Sequence, residues 1–361
     1  MTEAILLVGG QGTRLRPLTS NTPKPLLPVA GVPFLTHQLK RAAAAGVTRI
    51  VLATSYLPEL FEKEYGDGQK VGIRIEYISE PQPLGTGGAI RNAAERLACG
   101  PDEPVLVFNG DILSGLDIAG LRDGHRYSGA DVTLHLTRVA DPRAFGLVPT
   151  DGDGRVLDFL EKPEHSADIV TDQINAGCYV FTRSVLDRIP AGRVVSVERE
   201  TFPGLLASGA YVRGVVDHGY WLDLGTPAAF IQGSADLVRG LVASPALPGP
   251  PGEALVLPGA SVHPGAQISG GTVIGEGARV EDGAVVKGSV VLAGAHIAKG
   301  ALVHSSVVGR LAGIGPGTTL DGVVIGDGAE VGADNELTPG LRIDCRVVLP
   351  AQGVRISAAR A

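Results

Sequence analysis

Aromatic residues are scarce in this chain and vanish from its last third: sixteen of 361 residues are Phe, Tyr or Trp, and none follows Phe230. Such a break in composition marks two architectures. Cysteine is also sparse. Cys99, Cys178 and Cys345 lie far apart with no Cys-x-x-Cys spacing, so neither a zinc site nor a redox pair is implied. Three scattered thiols fit a reducing compartment, so a cytoplasmic location is expected, and Cys178, inside an apolar run, is expected in the core. No apolar run approaches the roughly 18 residues of a membrane span, and no secretory signal pattern opens the chain, so no membrane partner is expected. Basic charge is not in excess either. Lys and Arg number 31 against 38 Asp and Glu, giving a net charge of −7 and a pI of about 5.6, which argues against nucleic acid as a partner. What remains is 44% hydrophobic and 19% charged, a globular composition in a chain long enough for two domains.

The first twenty-five residues carry the strongest signal. Residues 4–8 read as a short buried strand. Gly9-Gly10-Gln11-Gly12-Thr13-Arg14-Leu15-Arg16-Pro17-Leu18-Thr19 follows at once, then Pro23-Lys24-Pro25. A strand running into a glycine-rich loop offers backbone N–H groups to an anion. Arg14 and Lys24 add two fixed positive charges, so a polyphosphate is the expected ligand. The run is not a Walker A loop and fails the dinucleotide fingerprint. Its spacing resembles the signature of the sugar-phosphate nucleotidyltransferases.

Two organisations follow. Up to about residue 242, strand signals at 4–8, 49–53, 74–78 and 105–108 alternate with helical patterns at 34–46 and 89–97. This βαβ series predicts a doubly wound, mostly parallel α/β sheet with helices on both faces. Ligands of such sheets bind outside the carboxyl ends of the strands, where the glycine loop and Asn109-Gly110-Asp111 both fall. A Pro-rich linker, 243–253, separates this catalytic domain, 1–242, from a repeat domain, 254–361. There, aliphatic residues recur about every sixth position at Val262, Ile268, Ile274, Val280, Val286 and Leu292. After a one-residue slip they resume at Ile297, Val303, Val308, Ile314, Leu320, Ile325, Val331, Leu337, Ile343 and Leu349. The period resembles the left-handed parallel β-helix of hexapeptide proteins, with roughly five coils. A narrow core of short aliphatic chains accounts for the missing rings. The repeat is short and nearly uninterrupted, so it is expected to be structural and to mediate homo-oligomer assembly rather than acyl transfer.

The resemblance extends over residues 4–227. Pro83-Leu84-Gly85-Thr86-Gly87-Gly88-Ala89 looks like the family's base-binding loop, and Asn109-Gly110-Asp111 like its metal-binding turn. Phe145-Gly146-Leu147-Val148, Glu161-Lys162-Pro163 and Asn175-Ala176-Gly177 look like its sugar-phosphate segments. Trp221-Leu222-Asp223-Leu224-Gly225-Thr226-Pro227 looks like the segment bearing a second metal carboxylate. With the β-helix extension, the whole is most similar to the mannose-1-phosphate guanylyltransferases. The resemblance implies that an NTP, GTP above all, and a sugar 1-phosphate are the partners, with Mg²⁺ as cofactor held by Asp111 and Asp223. Arg14, Lys24, Asp111 and Asp223 are the implied catalytic residues. Leu7, Gly9, Gly10, Gly12, Thr13, Glu80, Gly85, Thr86 and Asn109 are implied for the nucleotide. Gly146, Glu161, Lys162, Asn175 and Gly177 are implied for the sugar phosphate.

Glu80 bears on the base. A carboxylate only accepts hydrogen bonds. It suits the adjacent N1–H and N2–H donors of guanine and suits uracil or thymine poorly. The alternative is a solvated loop charge. The sugar stays open between mannose, a heptose and glucose 1-phosphate, the last with a uridylyl, thymidylyl or adenylyl group. A non-catalytic regulatory homologue is the reading from another class, although the charged Arg14, Lys24, Asp111, Lys162 and Asp223 are all present.

Overall fold

Near-continuous apolar runs in the first half form strands because both faces of the sheet are covered. The computed structural model describes every residue except Met1, Pro81, Glu164, Ser166, Ala167, Pro248 and 356–361. Pro248 of the linker and the last six residues of the repeat domain therefore lie outside the described residues. The described chain divides into two compact units. One comprises Met1–Gly10 and Gln38–Trp221, the other Gln11–His37 and Leu222–Ala361.

The first unit is built on a nine-stranded sheet. Its strands are β1 (Glu3–Leu7), β2 (Arg49–Thr54), β3 (Arg74–Ser79), β4 (Pro104–Asn109), β5 (Val132–Arg138), β6 (Gly146–Leu147), β7 (Leu160–Glu161), β8 (Gln173–Thr182) and β9 (Val212–Val216). The central path runs β7-β6-β8-β4-β1-β2-β3. β1 pairs in parallel with β2 and β4, and β2 with β3. β8 enters antiparallel to both β4 and β5, so the sheet is parallel at its centre and mixed at one side. Helices α1 (Phe34–Ala44), α2 (Pro58–Tyr65), α3 (Gly85–Ala94), α4 (Ile118–Ser128) and α5 (Phe202–Ala207) follow in chain order. Ile5, Val51, Val105 and Val107 share a buried cluster with Ile90 and Ala93 of α3 and Phe202 and Leu205 of α5. Ala4, Leu6, Ile50, Leu52 and Leu106 point to the opposite face and are fully buried too. Cys178 lies in this core, where burial pushes its thiol far up.

One expectation needs correction. The helix read at 89–97 begins four residues earlier, at Gly85, so Gly85-Thr86-Gly87-Gly88 is a helix start rather than a loop. The reason is tertiary. Gly87 and Gly88 both donate N–H to Val195 O, at 2.8 and 3.2 Å, and a Cβ on Gly88 would come within 2.8 Å of Arg193 O. Close docking on 193–195 selects glycine there, against helix propensity.

In the second unit, α6 (Pro227–Arg239) leads into a left-handed parallel β-helix of three flat sheets, two of six strands and one of five. Its interior stacks Ile274, Val291, Val308 and Ile325 on one side, Val280, Ile297, Ile314 and Val331 on the second, and Val286, Val303 and Leu320 on the third. Here the expected phase is off by one: Val291, not Leu292, faces the axis, in register with Ile274 and Val308. Both residues are apolar and both are buried, so composition alone does not separate them. Corners are filled by small residues. Ala278, Ala295, Ala312 and Ala329 form one column. Thr272, Ser289 and Ser306 form another, where each hydroxyl accepts the N–H found 17 residues later, at 3.3, 3.1 and 3.0 Å. These bonds satisfy buried backbone groups at turns the strand ladders do not reach.

Candidate active site

Because the central strands are parallel, their carboxyl ends deliver residues 8–10, 55, 80 and 109–111 to one edge of the first unit. The N–H of Gly110 donates to Leu7 O at 2.8 Å, and a Cβ there would lie 2.4 Å from that oxygen. Only glycine lets the Asn109-Gly110-Asp111 turn fold back onto β1. The turn is held from α1 as well: Gln38 Nε2 donates to Asn109 O (2.9 Å) and Ile112 O (3.1 Å). Gln38 carries no motif, and nothing local in the sequence marks it. Gly9 O accepts the Ser55 hydroxyl, whereas Gly10 has open space around its α-carbon.

Glu80 follows β3, with its N–H on Thr54 O at 3.0 Å. It is 8% exposed, so it is not a solvated loop charge. Its Oε2 accepts the Leu84 N–H at 3.0 Å. Oε1 is buried without a partner among the described residues. Burial pushes the carboxyl up from its ordinary range, opposed by the Leu84 N–H. Nearby, Thr86 Oγ1 donates to Glu198 Oε2 (2.7 Å) and accepts the Val197 N–H (2.9 Å). Its hydroxyl thus ties α3 to the segment 196–198, a use the sequence did not suggest.

The sugar-phosphate segments meet on β6, β7 and β8. Gly146 stands opposite Glu161, and a Cβ there would come within 2.7 Å of Glu161 Oε2. Lys162 adopts φ +49°, a left-handed conformation that costs a non-glycine residue about 1–3 kcal/mol and recurs at ligand sites. Its Nζ sits 3.3 Å from Glu161 Oε1, largely exposed. The register of β8 against β5 shifts between Asn175 and Tyr179. In that bulge, Asn175 Oδ1 accepts the Gly177 N–H (3.0 Å), Asn175 Nδ2 donates to the Tyr179 hydroxyl (2.8 Å), and Gly177 takes φ +77°. Trp221 Nε1 donates to Ala176 O at 3.0 Å, and its ring meets Phe145 edge-on at 5.5 Å. Trp221 therefore shapes the bulge. Its signal in the sequence is that it is the chain's single tryptophan, two residues before Asp223.

The second unit holds the other charged groups. Gly12 takes φ +60°, and its carbonyl accepts the Thr19 hydroxyl at 2.8 Å. Single 3₁₀ turns follow at Thr13–Leu15 and Lys24–Leu26. They bring Arg14 Nη2 to 4.0 Å from Asp223 Oδ2 and Lys24 Nζ to 3.8 Å from Asp223 Oδ1. Arg14 is 64% exposed and Lys24 only 12%. Two cations around one carboxylate leave a net positive site, suited to phosphate. Asp111 lies in the first unit and Asp223 in the second. Among the described residues, no three His, Cys, Asp or Glu side chains come together as a ready-made metal cage. No helix among them is long and apolar enough to cross a membrane.

Comparison with known proteins gives a consistent picture. A family model described as nucleotidyl transferase matches residues 3–240, and one described as GMPPB C-terminal domain matches 251–360. The chain is 60% identical over 261 residues to a mannose-1-phosphate guanylyltransferase of Mycobacterium tuberculosis, covering 72% of this chain and 71% of that one. It is 39% identical over 267 residues to the mannose-1-phosphate guanylyltransferase catalytic subunit beta of Drosophila pseudoobscura pseudoobscura, covering 72% and 70%. The crystal structure of HddC from Yersinia pseudotuberculosis superposes with a TM-score of 0.56 at 27% identity, over 65% of this chain and 98% of that one. The same protein has been solved complexed with GMP-PN.

Proposed function

The chain belongs to the nucleotidyl transferase family, and from that premise we infer that it transfers a guanylyl group from GTP to mannose 1-phosphate, giving GDP-mannose and pyrophosphate. The reaction class rests on one observation: Arg14 and Lys24, on a glycine-rich loop, both lie within 4.0 Å of Asp223. The substrate pair rests on the likeness to enzymes of that name, and the buried carboxylate of Glu80 supports guanine.

A phosphate oxygen of the sugar 1-phosphate attacks the α-phosphorus. A new P–O bond forms, the bond from the α-phosphorus to the bridging oxygen breaks, and pyrophosphate leaves with that electron pair. No covalent enzyme intermediate is required, so the protein's work is positioning and charge neutralisation. Arg14 holds the β- and γ-phosphates and the charge growing on pyrophosphate, and Lys24 steadies the α-phosphate. Lys162 holds the attacking phosphate as a point charge. Glu161 and Asn175 bind sugar hydroxyls, beside the close backbone approaches at Gly146 and Gly177. The nucleotide lies along Leu7, Gly9, Gly10, Gly12, Thr13, Gly85, Thr86 and Asn109, with Glu80 Oε1 facing guanine N1–H and N2–H.

Asp111 and Asp223 are hard oxygen donors, and Asp223 stays partly open at 25% exposure. That fits Mg²⁺, which is commonly held by one or two carboxylates with substrate phosphates completing its shell. Bound there, Mg²⁺ would neutralise the repulsion between the two phosphate groups. Residues 1–242 form the catalytic domain in this reading, 243–253 the linker, and 254–361 the domain that assembles a homo-oligomer. One family-model match ends at residue 240 and the other begins at 251, within that stretch, and the apolar Leu302, Leu311 and Val348 are exposed on the repeat.

The test is pyrophosphate release with ATP, GTP, UTP and dTTP against mannose, glucose and heptose 1-phosphates, with Mg²⁺ present. GTP with mannose 1-phosphate is expected to be fastest. A preference for UTP or dTTP overturns the guanylyl assignment. Release with no pair returns the regulatory reading.

A further inference from the structure

Between Gln11 and Leu27 the chain forms no strand, only the two single 3₁₀ turns that carry Arg14 and Lys24. Local turns of this kind fix their own shape but not their position, so ties from elsewhere help to hold two cations at one carboxylate. Its inner ties are short-range, the Leu15 N–H on Gly12 O, the Leu18 N–H on Leu15 O, the Ser20 N–H on Pro17 O and the Thr19 hydroxyl on Gly12 O among them. The stretch between the two cations is met by the last coils of the repeat. Arg342 Nη1 donates to Arg16 O at 2.8 Å, and Cys345 Sγ to Pro17 O at 3.7 Å. Arg310 Nη1 lies 3.4 Å from both Thr22 Oγ1 and Asp327 Oδ2, while Asp327 Oδ1 accepts the Arg310 N–H at 2.8 Å.

These residues are not scattered. Val308, Ile325 and Ile343 stack in register on one sheet of the β-helix. Arg310, Asp327 and Cys345 each stand two residues beyond one of them, so they form a column on one corner over three successive coils. Arg342 begins the last strand of that stack. Asp327 aims Arg310 at the loop, and Arg342 grips a carbonyl two residues from Arg14.

We propose that this column is a latch that positions Arg14 and Lys24 for catalysis, making the repeat part of the active-site apparatus as well as an assembly domain. The inference rests on the nucleotidyl-transfer reading above. Arg342 and Arg310 are positioning residues: they touch the loop, not the reacting atoms.

The full-length chain carrying Arg310→Ala and Arg342→Ala together tests this. Arg342→Lys serves as a conservative variant, and Arg279→Ala, exposed elsewhere on the repeat, as a control. Rates with GTP and mannose 1-phosphate, amide hydrogen exchange over residues 13–22, and oligomer size are measured together. The double variant should lose roughly ten-fold or more in kcat/KM for GTP. KM for the sugar phosphate should stay within about two-fold of wild type, since its ligands lie on other segments. Exchange over 13–22 should rise, the oligomer should be unchanged, and Arg342→Lys should recover part of the loss. Unchanged kinetics and exchange in the double variant overturn the latch. So does a loss fully explained by dissociation of the oligomer and reversed by raising protein concentration. A wild type that transfers no nucleotidyl group overturns the underlying reading instead, a result visible before any variant is made.

Discussion

Gly225 and Arg14 compete for one space: a Cβ built on Gly225 would sit 2.4 Å from Arg14 Nη2 and 2.9 Å from Asp223 Oδ1. The absence of a side chain at 225 is what allows the guanidinium to lie over the turn that carries the carboxylate. Gly225→Ala should therefore fold normally, because the nearest atoms it displaces are side-chain ends, of Arg14 and Asp223, and not backbone. It should still lower kcat/KM for GTP by at least roughly ten-fold, since a shift of about 1 Å at a positioning group is costly. An unchanged melting temperature with lost activity is the expected pair of results. Full activity would mean that Arg14 works from another position.

Asp111→Asn and Asp223→Asn should each lower turnover by roughly a hundred-fold or more while the fold persists. Each removes a negative oxygen donor, and Asp223→Asn also leaves Arg14 and Lys24 without their shared counter-charge. Chelator should abolish wild-type activity and added Mg²⁺ should restore it. Pyrophosphate release by either variant at wild-type rate, or by chelated enzyme, would end the two-carboxylate assignment.

Glu80→Gln probes the base. The amide oxygen can still accept the Leu84 N–H, so the local turn should survive. The new NH₂ then meets the guanine donors, a mismatch of about 1–3 kcal/mol, or roughly one to two decades in the GTP-over-UTP ratio of kcat/KM. Burial raises the Glu80 pKa, so the proton is held more tightly in the folded chain than in the unfolded one. Its contribution to stability is present below the ordinary carboxylate range and lost as pH rises through the raised value. At neutral pH the variant should thus be no less stable than wild type. Selectivity of the wild type should run the other way, since binding guanine needs the ionised form. It should weaken on acidification before free carboxylates titrate. A ratio that neither the substitution nor pH moves would take Glu80 out of base recognition.

Trp221→Phe keeps a ring against Phe145 but removes the indole N–H from Ala176 O. With that carbonyl freed, the bulge holding Asn175 and Gly177 should loosen. KM for the sugar 1-phosphate should rise several-fold and KM for GTP should not. An equal rise in both would assign Trp221 to general packing.

Much of this was legible from local pattern. The glycine loop, the parallel strand series and the aliphatic period of the repeat all arise from short-range rules of burial and backbone freedom. What escaped depends on distant neighbours. Gly87 and Gly88 read as loop residues, yet their glycines answer to the backbone at 193–195. Val291 and Leu292 are equally apolar, and only the coils above and below choose between them. Gln38 and Arg342 look unremarkable in sequence, because each gains its role from a partner well removed along the chain.

The pair Arg342 and Arg16 lies 326 residues apart, which gives the enzyme a timetable. During synthesis the glycine-rich loop emerges well before the coil that meets it. At about 5–20 residues per second, roughly 15–65 seconds separate the two. If the latch holds as proposed, the loop through that interval lacks the Arg342 tie that positions its cations. Competence should therefore arrive abruptly, with the closing coils, so that a ribosome-bound chain or one truncated near its end handles nucleotide poorly even when its α/β sheet is complete.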